Sequence, residues 1–406
     1  MEAHFFSFNI LLAFATSVAI TAYNIPIIIS IARSKKLLDL PDNYRKLHKH
    51  PIPALGGIAI FVGIIVSFSI WVGGNMPDFY PYLVAGSVLL LTVGVRDDIL
   101  AMNVNKKFFV QFLAASAVVI GGNLRLNYLD GLLGLSSVPE AVAIVWSILA
   151  IMFIINAYNL IDGVDGLAGV LALVGSLGFG VWFFINGHIG ESILAASLAG
   201  ALLGFLYYNM SPARIFMGDT GALVIGLIMA VMAFRLVMLN SHSTVFSLNS
   251  PTVFAVSLLI IPIFDALRVI LVRLLKRRSP FLPDRNHIHH RLISLGFGHR
   301  NICRFLVFTN IAIIAIAVFL QQFEIHLYYF SILALAAMIL PSAFILKRFQ
   351  AKIKIRMKQR TVPKPYHPVK SGIVLKRSSA FKPDPDNYKV SLKTGTHNNE
   401  TGQSSM

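Results

Sequence analysis

Eleven apolar runs follow one another along this chain, at about 5–31, 54–72, 81–95, 107–122, 139–155, 167–185, 192–208, 221–239, 251–274, 302–320 and 326–346. Crossing the hydrocarbon layer of a bilayer takes roughly 20 apolar residues in a helix, and most of these runs come close to that or exceed it. With 56% of 406 residues hydrophobic and only 13% charged, the composition is outside the range of soluble domains. The sequence therefore predicts an all-α integral membrane protein, a polytopic bundle of about 11 transmembrane helices. A membrane β-barrel would instead show segments of about ten residues with alternating polarity, and the chain has none. The first run has no basic segment before it and no small-residue cleavage site after it, so it is expected to be a retained helix and not a signal peptide. The single cysteine, Cys303, excludes disulfides and cysteine-based metal sites.

The net charge of +17 invites a nucleic-acid reading, but its distribution argues for a membrane one. Arg33, Lys35, Lys36, Arg45, Lys46 and Lys49 follow the first run; Arg96, Lys106 and Lys107 flank the next such connection; Arg214 lies in another. Lys276, Arg277, Arg278, Arg285, Arg291 and Arg300 follow the ninth run, whereas the opposite loops carry only Arg125. By the positive-inside rule the amino terminus is outside and the basic connections are cytoplasmic. Residues 1–346 are then expected to form one transmembrane domain. Residues 347–406 are basic and then polar, too poor in apolar surface to offset the entropy of ordering, and are expected to be a disordered cytoplasmic tail. No repeat of fixed period is present.

Connections 32–53, 96–106, 156–166, 209–220 and 275–301 all fall on the predicted cytoplasmic face, and each carries a polar cluster. In "VGVRDDIL", Asp97 and Asp98 stand directly after the third run; adjacent carboxylates repel unless a cation lies beside them, although a helix cap or a pairing with Arg96 would also satisfy them. In "NAYNLIDGVDGLAG", Asn156, Asn159 and Asp162 are three apart and so neighbours on a helix surface. Two Asp-Gly pairs, at Asp162 and Asp165, then end the helix. In "YNMSPARIFMGDTGAL", Asp219 precedes the eighth helix, where free amides attract anions; an acid there suits a metal that joins it to a phosphate. Phe216 beside it offers a ring for stacking on a base. "SPFLPDRNHIHHRL" holds His287, His289 and His290 with Arg285 and Arg291. Without an H-E-x-x-H or similar second ligand group, these suit sugar-hydroxyl or phosphate contacts better than zinc. In "PIFDALRVILVR", Asp265 and Arg268 are expected to pair within the membrane, with Arg273 nearer the cytoplasm and able to reach an anionic substrate.

In this order, with "HKHPIPALGGIAI" after the first helix, the motifs resemble the polyprenyl-phosphate N-acetylhexosamine-1-phosphate transferases of glycosyltransferase family 4. The resemblance covers about residues 1–346. It implies a Mg²⁺-dependent reaction, with Mn²⁺ as a substitute, between a UDP-N-acetylhexosamine and a polyprenyl phosphate, giving a lipid diphosphosugar and UMP. N-acetylglucosamine is the expected sugar. Another UDP-N-acetylhexosamine or a phospho-N-acetylmuramoyl-pentapeptide is the alternative, although the sister family that uses the latter has a differently spelled histidine loop.

The resemblance further implies Asn159 and Asp219 as metal contacts, and Asp97 and Asp98 as catalytic acids near the lipid phosphate. Asp162, also counted as catalytic, would lie with Asp165 near the nucleotide, and Asn209 and Phe216 would hold the uracil. Lys49, Arg273, Arg285, His287, His289 and His290 complete the expected substrate contacts. A phosphate monoester has a second pKa near ~6, so the acceptor is already ionised and direct transfer is favoured over an aspartyl-phosphate. The expected partners are the two substrates and the bilayer, with a homodimer compatible and nucleic acid excluded. The expected location is the bacterial plasma membrane, with the active site and tail in the cytoplasm. The basic tail and Ala222, where family members often have Ser, depart from the family pattern. A secondary transporter, the competing class, would put its charges near the midplane of paired repeats; here they lie at helix ends.

Overall fold

A computed structural model describes residues 2–38, 51–127, 138–243, 245–277 and 287–321. Lys49, Arg285, the run at 326–346 and the tail at 347–406 lie outside the described residues. Apart from one bridging residue, Ile52, the regular structure among the described residues is helical. The order is α1 (Glu2–Ser34), α2 (Gly56–Trp71), α3 (Tyr80–Ile99), α4 (Val104–Ser116, continued by a wider turn over Ala117–Gly121), α5 (Glu140–Ile161), α6 (Leu167–Ile185), α7 (Ile189–Asn209) and α8 (Gly218–Leu239). There follow α9 (Pro251–Leu258), α10 (Ile260–Leu275), α11 (Ile288–Ser294) and α12 (His299–Leu320). Seven described helices are long and apolar enough to cross a membrane, or eight if α9 and α10 count as one bent span.

The centre of the bundle is α8, every residue of which from Thr220 to Phe234 is buried. Such a helix, apolar on all sides, belongs inside a larger assembly. α3, α5 and α2 pack around it, and α7 packs against α1, α6 and α2. Outer helices instead expose large apolar side chains, among them Phe109 and Phe112 on α4 and Phe308 on α12, as lipid-facing surfaces do. At the end of α8 remote from Asp219, Arg235 donates to Glu191 Oε1 from Nε at 3.0 Å and Nη2 at 2.6 Å. A buried carboxylate such as Glu191 is expected to have such a partner.

The structure corrects several sequence expectations. α3 continues to Ile99, so Asp97 and Asp98 occupy its last turn and do not follow it; their side chains have partners there, so the polar end of the helix has no reason to unwind. α8 likewise begins at Gly218, placing Asp219 inside its first turn. The ninth run is not one helix: it bends by 85° between α9 and α10. Pro262 explains the break, because it has no N–H for Leu258 O, and its ring would collide with that carbonyl in a continuous helix.

Close approach of α3 to α8 depends on Gly94, where an added Cβ would collide with the backbone of Thr220. Replacing Gly94 by Ala is therefore expected to force the two helices apart and cost about 1–3 kcal/mol of stability, in the range of overpacked cores. Gly74→Ala, which faces open space, is the matched control. Thermal unfolding in detergent should show a lower midpoint for Gly94→Ala alone; equal midpoints would contradict the packing.

Candidate active site

The first turn of α8 is gripped from α3. Asp98 accepts hydrogen bonds from Asp219 N at 2.9 Å on Oδ1, and from Thr220 N at 3.0 Å and Thr220 Oγ1 at 2.6 Å on Oδ2. Amides in the first turn of a helix have no partner within the helix, and a carboxylate also suits the positive end of the helix dipole. Asp98 is thus a cap, supplied by a neighbouring helix.

With α8 fixed in this way, the Asp219 carboxylate projects into a cluster. Lys107, on α4, makes a short ion pair with Asp219 Oδ2 and reaches Asp97 Oδ2 at 3.1 Å. Asp97 Oδ1 in turn accepts Met102 N at 2.7 Å. From α5, Asn159 Nδ2 donates to Asp219 Oδ1 at 2.5 Å, while Asn156 exchanges hydrogen bonds with Gln111 on α4. The helix ends at Asp162, as the Asp-Gly pair predicts.

Asp162 makes no hydrogen bond to the described residues. Burial, followed by the negative charges of Asp219, Asp98 and Asp165, pushes its carboxyl up to about 8. Asp165, by contrast, is held below the ordinary carboxylate range. Burial opposes this, but His299, Ala213 N and the Ser211 side chain together outweigh it. His299 Nδ1 is 3.1 Å from Asp165 Oδ2, and Arg300 Nε donates to Ser211 O at 2.8 Å. The start of α12 therefore holds two of the loops.

Asn209 is buried, with Oδ1 accepting Gly166 N and Nδ2 donating to Ile215 O, both at 2.8 Å. Both ends of its amide thus join the 162–166 loop to the 211–217 loop. The latter pairs with the loop before α2: Phe216 N donates to Pro53 O at 2.8 Å and Gly56 N to Phe216 O at 3.0 Å. Phe216 is half-buried beside them.

The histidine loop docks on the same end. Asp265 on α10 accepts Ile288 N at 2.7 Å and pairs with His287 Nδ1 at 2.8 Å, while its contact with Arg268 is longer, 3.4 Å. The intrahelical pair expected from sequence is thus the weaker part of this arrangement. His289 is buried, its ring stacked with His287 and tilted against His290, with Nε2 directed at Gly163 so closely that any side chain there would collide. Burial, then the charge of His290, pushes His289 down to about 3, leaving a neutral ring. Arg273 is buried farther along α10.

Asp97, Asp98, Asn159, Asp162, Asp165, Asn209, Phe216, Asp219, His287, His289 and His290 are therefore drawn to one end of the bundle by α3, α4, α5, α8 and the loops around them. Sequence reasoning missed Lys107 as a site residue, counting it only as loop charge. It also missed Asp265 as the anchor of the histidine loop and His299 as the partner of Asp165. No sequence signal marked Lys107, since a lysine in the first turns of a helix is ordinary.

Comparison with known proteins places the chain in a family. Residues 80–237 match the model of glycosyl transferase family 4. The chain is 31% identical over 303 residues to a probable undecaprenyl-phosphate N-acetylglucosaminyl 1-phosphate transferase of Bacillus subtilis, covering 72% of this chain and 79% of the relative. It is 32% identical over 295 residues to a decaprenyl-phosphate N-acetylglucosaminephosphotransferase of Mycolicibacterium smegmatis, covering 67% and 72%. Identity to an undecaprenyl-phosphate alpha-N-acetylglucosaminyl 1-phosphate transferase of Yersinia pestis is 30% over 269 residues, covering 65% and 71%. The family match runs from the start of α3 to near the end of α8, the stretch that supplies the Asp98 cap, Lys107, Asn159 and Asp219, and with relatives that span most of the chain it establishes that this protein belongs to glycosyl transferase family 4.

Proposed function

We propose that the chain transfers N-acetylglucosamine 1-phosphate from UDP-N-acetylglucosamine to a polyprenyl phosphate, releasing UMP. The observation that carries this is the group of five carboxylates, Asp97, Asp98, Asp162, Asp165 and Asp219, with Lys107 at the end of a lipid-facing bundle. The relatives named above act, by name, on undecaprenyl or decaprenyl phosphate. The cytoplasmic placement of the site, the eleven-crossing topology and the tail on the same side belong to this reading, and loop charge supports them.

Divalent cation chemistry fits the residues in a limited form. Among the described residues no three His, Cys, Asp or Glu side chains converge to enclose an ion. Mg²⁺ needs no such cage, because it is usually held by one or two carboxylates together with water and substrate phosphates. Asp219, with Asn159 beside it, would hold the ion, and Asp162, raised to about 8 by burial and then by the charges of Asp219, Asp98 and Asp165, lies beside this acidic group. When bound, Mg²⁺ would neutralise the charge of the diphosphate and of the departing UMP.

The chain's own groups divide the remaining work. Lys107 brings a cation next to the place where phosphate charge must gather, and Asp97 and Asp219 hold its ammonium in line. Asp98 is a positioning residue, since its oxygens are used by Asp219 N, Thr220 N and Thr220 Oγ1. No general base is needed to ionise a lipid phosphate with a second pKa near ~6. His287, fixed by Asp265, and the neutral His289 against Gly163 present the histidine loop to the donor's phosphosugar, and Asp165 and Phe216 border the nucleotide side.

The purified chain in detergent, supplied with polyprenyl phosphate, is expected to release UMP from UDP-N-acetylglucosamine in preference to UDP-N-acetylgalactosamine or UDP-N-acetylmuramoyl-pentapeptide. Lys107→Ala should lower turnover by about 10²–10³-fold, as loss of one aimed electrostatic group does. A preference for another donor, or a Lys107→Ala variant with full turnover, would contradict the proposal.

Asp162 gives a second, activity-independent prediction. Its folded-state pKa is raised, so between about 4 and 8 the folded protein binds the proton more tightly than the unfolded chain, and stability falls as pH rises through this window. Metal-free protein should melt at lower temperature at pH 8 than at pH 6, with the difference reduced in Asp162→Asn. An identical pH profile in the variant would show that the carboxyl is not buried among like charges.

A further inference from the structure

Between the last turn of α3 and the first turns of α4, the outer surface opens into a cavity of about 480 Å³. Its walls are mainly apolar, from Val93, Met102, Phe109 and Val110, and the charged groups among its lining residues are both cations, Arg96 and Lys106. Successive helix residues point about 100° apart. Asp97 and Lys107 therefore turn inward to the carboxylate cluster, while Arg96 and Lys106, both exposed, turn outward into the groove.

We propose that this groove seats an anionic phosphodiester lipid of the surrounding bilayer, its headgroup between Arg96 and Lys106 and an acyl chain along Phe109 and Val110. Three observations commit the groove to that occupant. Its charge is entirely positive, and Asp97, the nearest acid in sequence, already has Lys107 and Met102 N as partners. Its apolar wall continues along α4 into Phe112 and Leu113, which are exposed on the membrane-spanning face. Asp97 and Lys107 face the Asp219 cluster, whereas their neighbours Arg96 and Lys106 line the groove, so the lipid proposed here is a resident one and not the reacting acceptor. Asn105 also lines the groove; its backbone N–H is already taken by Asn103 Oδ1 at 2.9 Å, so what it offers there is its side-chain amide.

The test uses the full chain in neutral detergent and a photoactivatable phosphatidylglycerol, with cross-links mapped by peptide. Labelling is expected within residues 92–110, weakened about fivefold in Arg96→Gln or Lys106→Gln and on the order of 25-fold in the double variant, given about 1 kcal/mol per basic residue near an anionic lipid surface. Arg33→Gln, which removes an exposed charge at the end of α1, should leave it unchanged, and unaltered thermal unfolding shows that the variants fold. Equal labelling by the phosphatidylcholine analogue, insensitivity to both substitutions, or displacement by equimolar polyprenyl phosphate would overturn the proposal; the last would make the groove an acceptor site.

Discussion

The arrangement depends on one carboxylate at the start of one helix. α8 is buried along most of its length, and its first amides would have no partner without Asp98. Leaving a buried donor unsatisfied costs about 1–3 kcal/mol. Because Asp98 meets Asp219 N and both donors of Thr220, it fixes the direction in which the Asp219 carboxylate leaves the helix, and that carboxylate then receives Lys107 from α4 and Asn159 from α5. Three helices distant in sequence are thereby registered to one another around a single side chain.

Charge balance explains why so many acids can share this space. Lys107 compensates Asp97 and Asp219, Asp98 is compensated by amides and a hydroxyl, and Asp165 by His299 and Ala213 N. Asp162 is left without a counter-charge and keeps its proton to a higher pH. This surplus is on the side where the histidine loop approaches, as His289 packs against Gly163. In the proposed reaction an incoming diphosphate would bring further negative charge to this end of the bundle, and a bound cation would offset it.

Much of the fold was legible because a bilayer permits few backbone solutions. All ten apolar runs within the described residues fall on helices, the ninth divided between α9 and α10, while the short α11 corresponds to no run. The ends themselves were misread where polar side chains find distant partners: Asp98 keeps α3 helical through Ile99 by bonding residues 121 and 122 positions away. The break before α10 was written in Pro262 but hidden by continuous hydropathy. At the site, the motif residues announced themselves as polar groups in apolar surroundings. Lys107 did not, because a lysine at a helix end is ordinary until its contact with Asp219, 112 positions away, is seen. For the same reason Asp265 was paired with its helical neighbour Arg268 and not with His287.

The most direct test of the central claim is a double-mutant cycle of turnover on Asp98→Asn and Asp219→Asn, since residues that act as a unit give losses that do not add. If Asp98 acts by holding Asp219, the double variant will turn over no more slowly than Asp219→Asn alone. Losses that multiply would show that Asp98 has an independent part in the reaction and would contradict its role as the cap that builds the site.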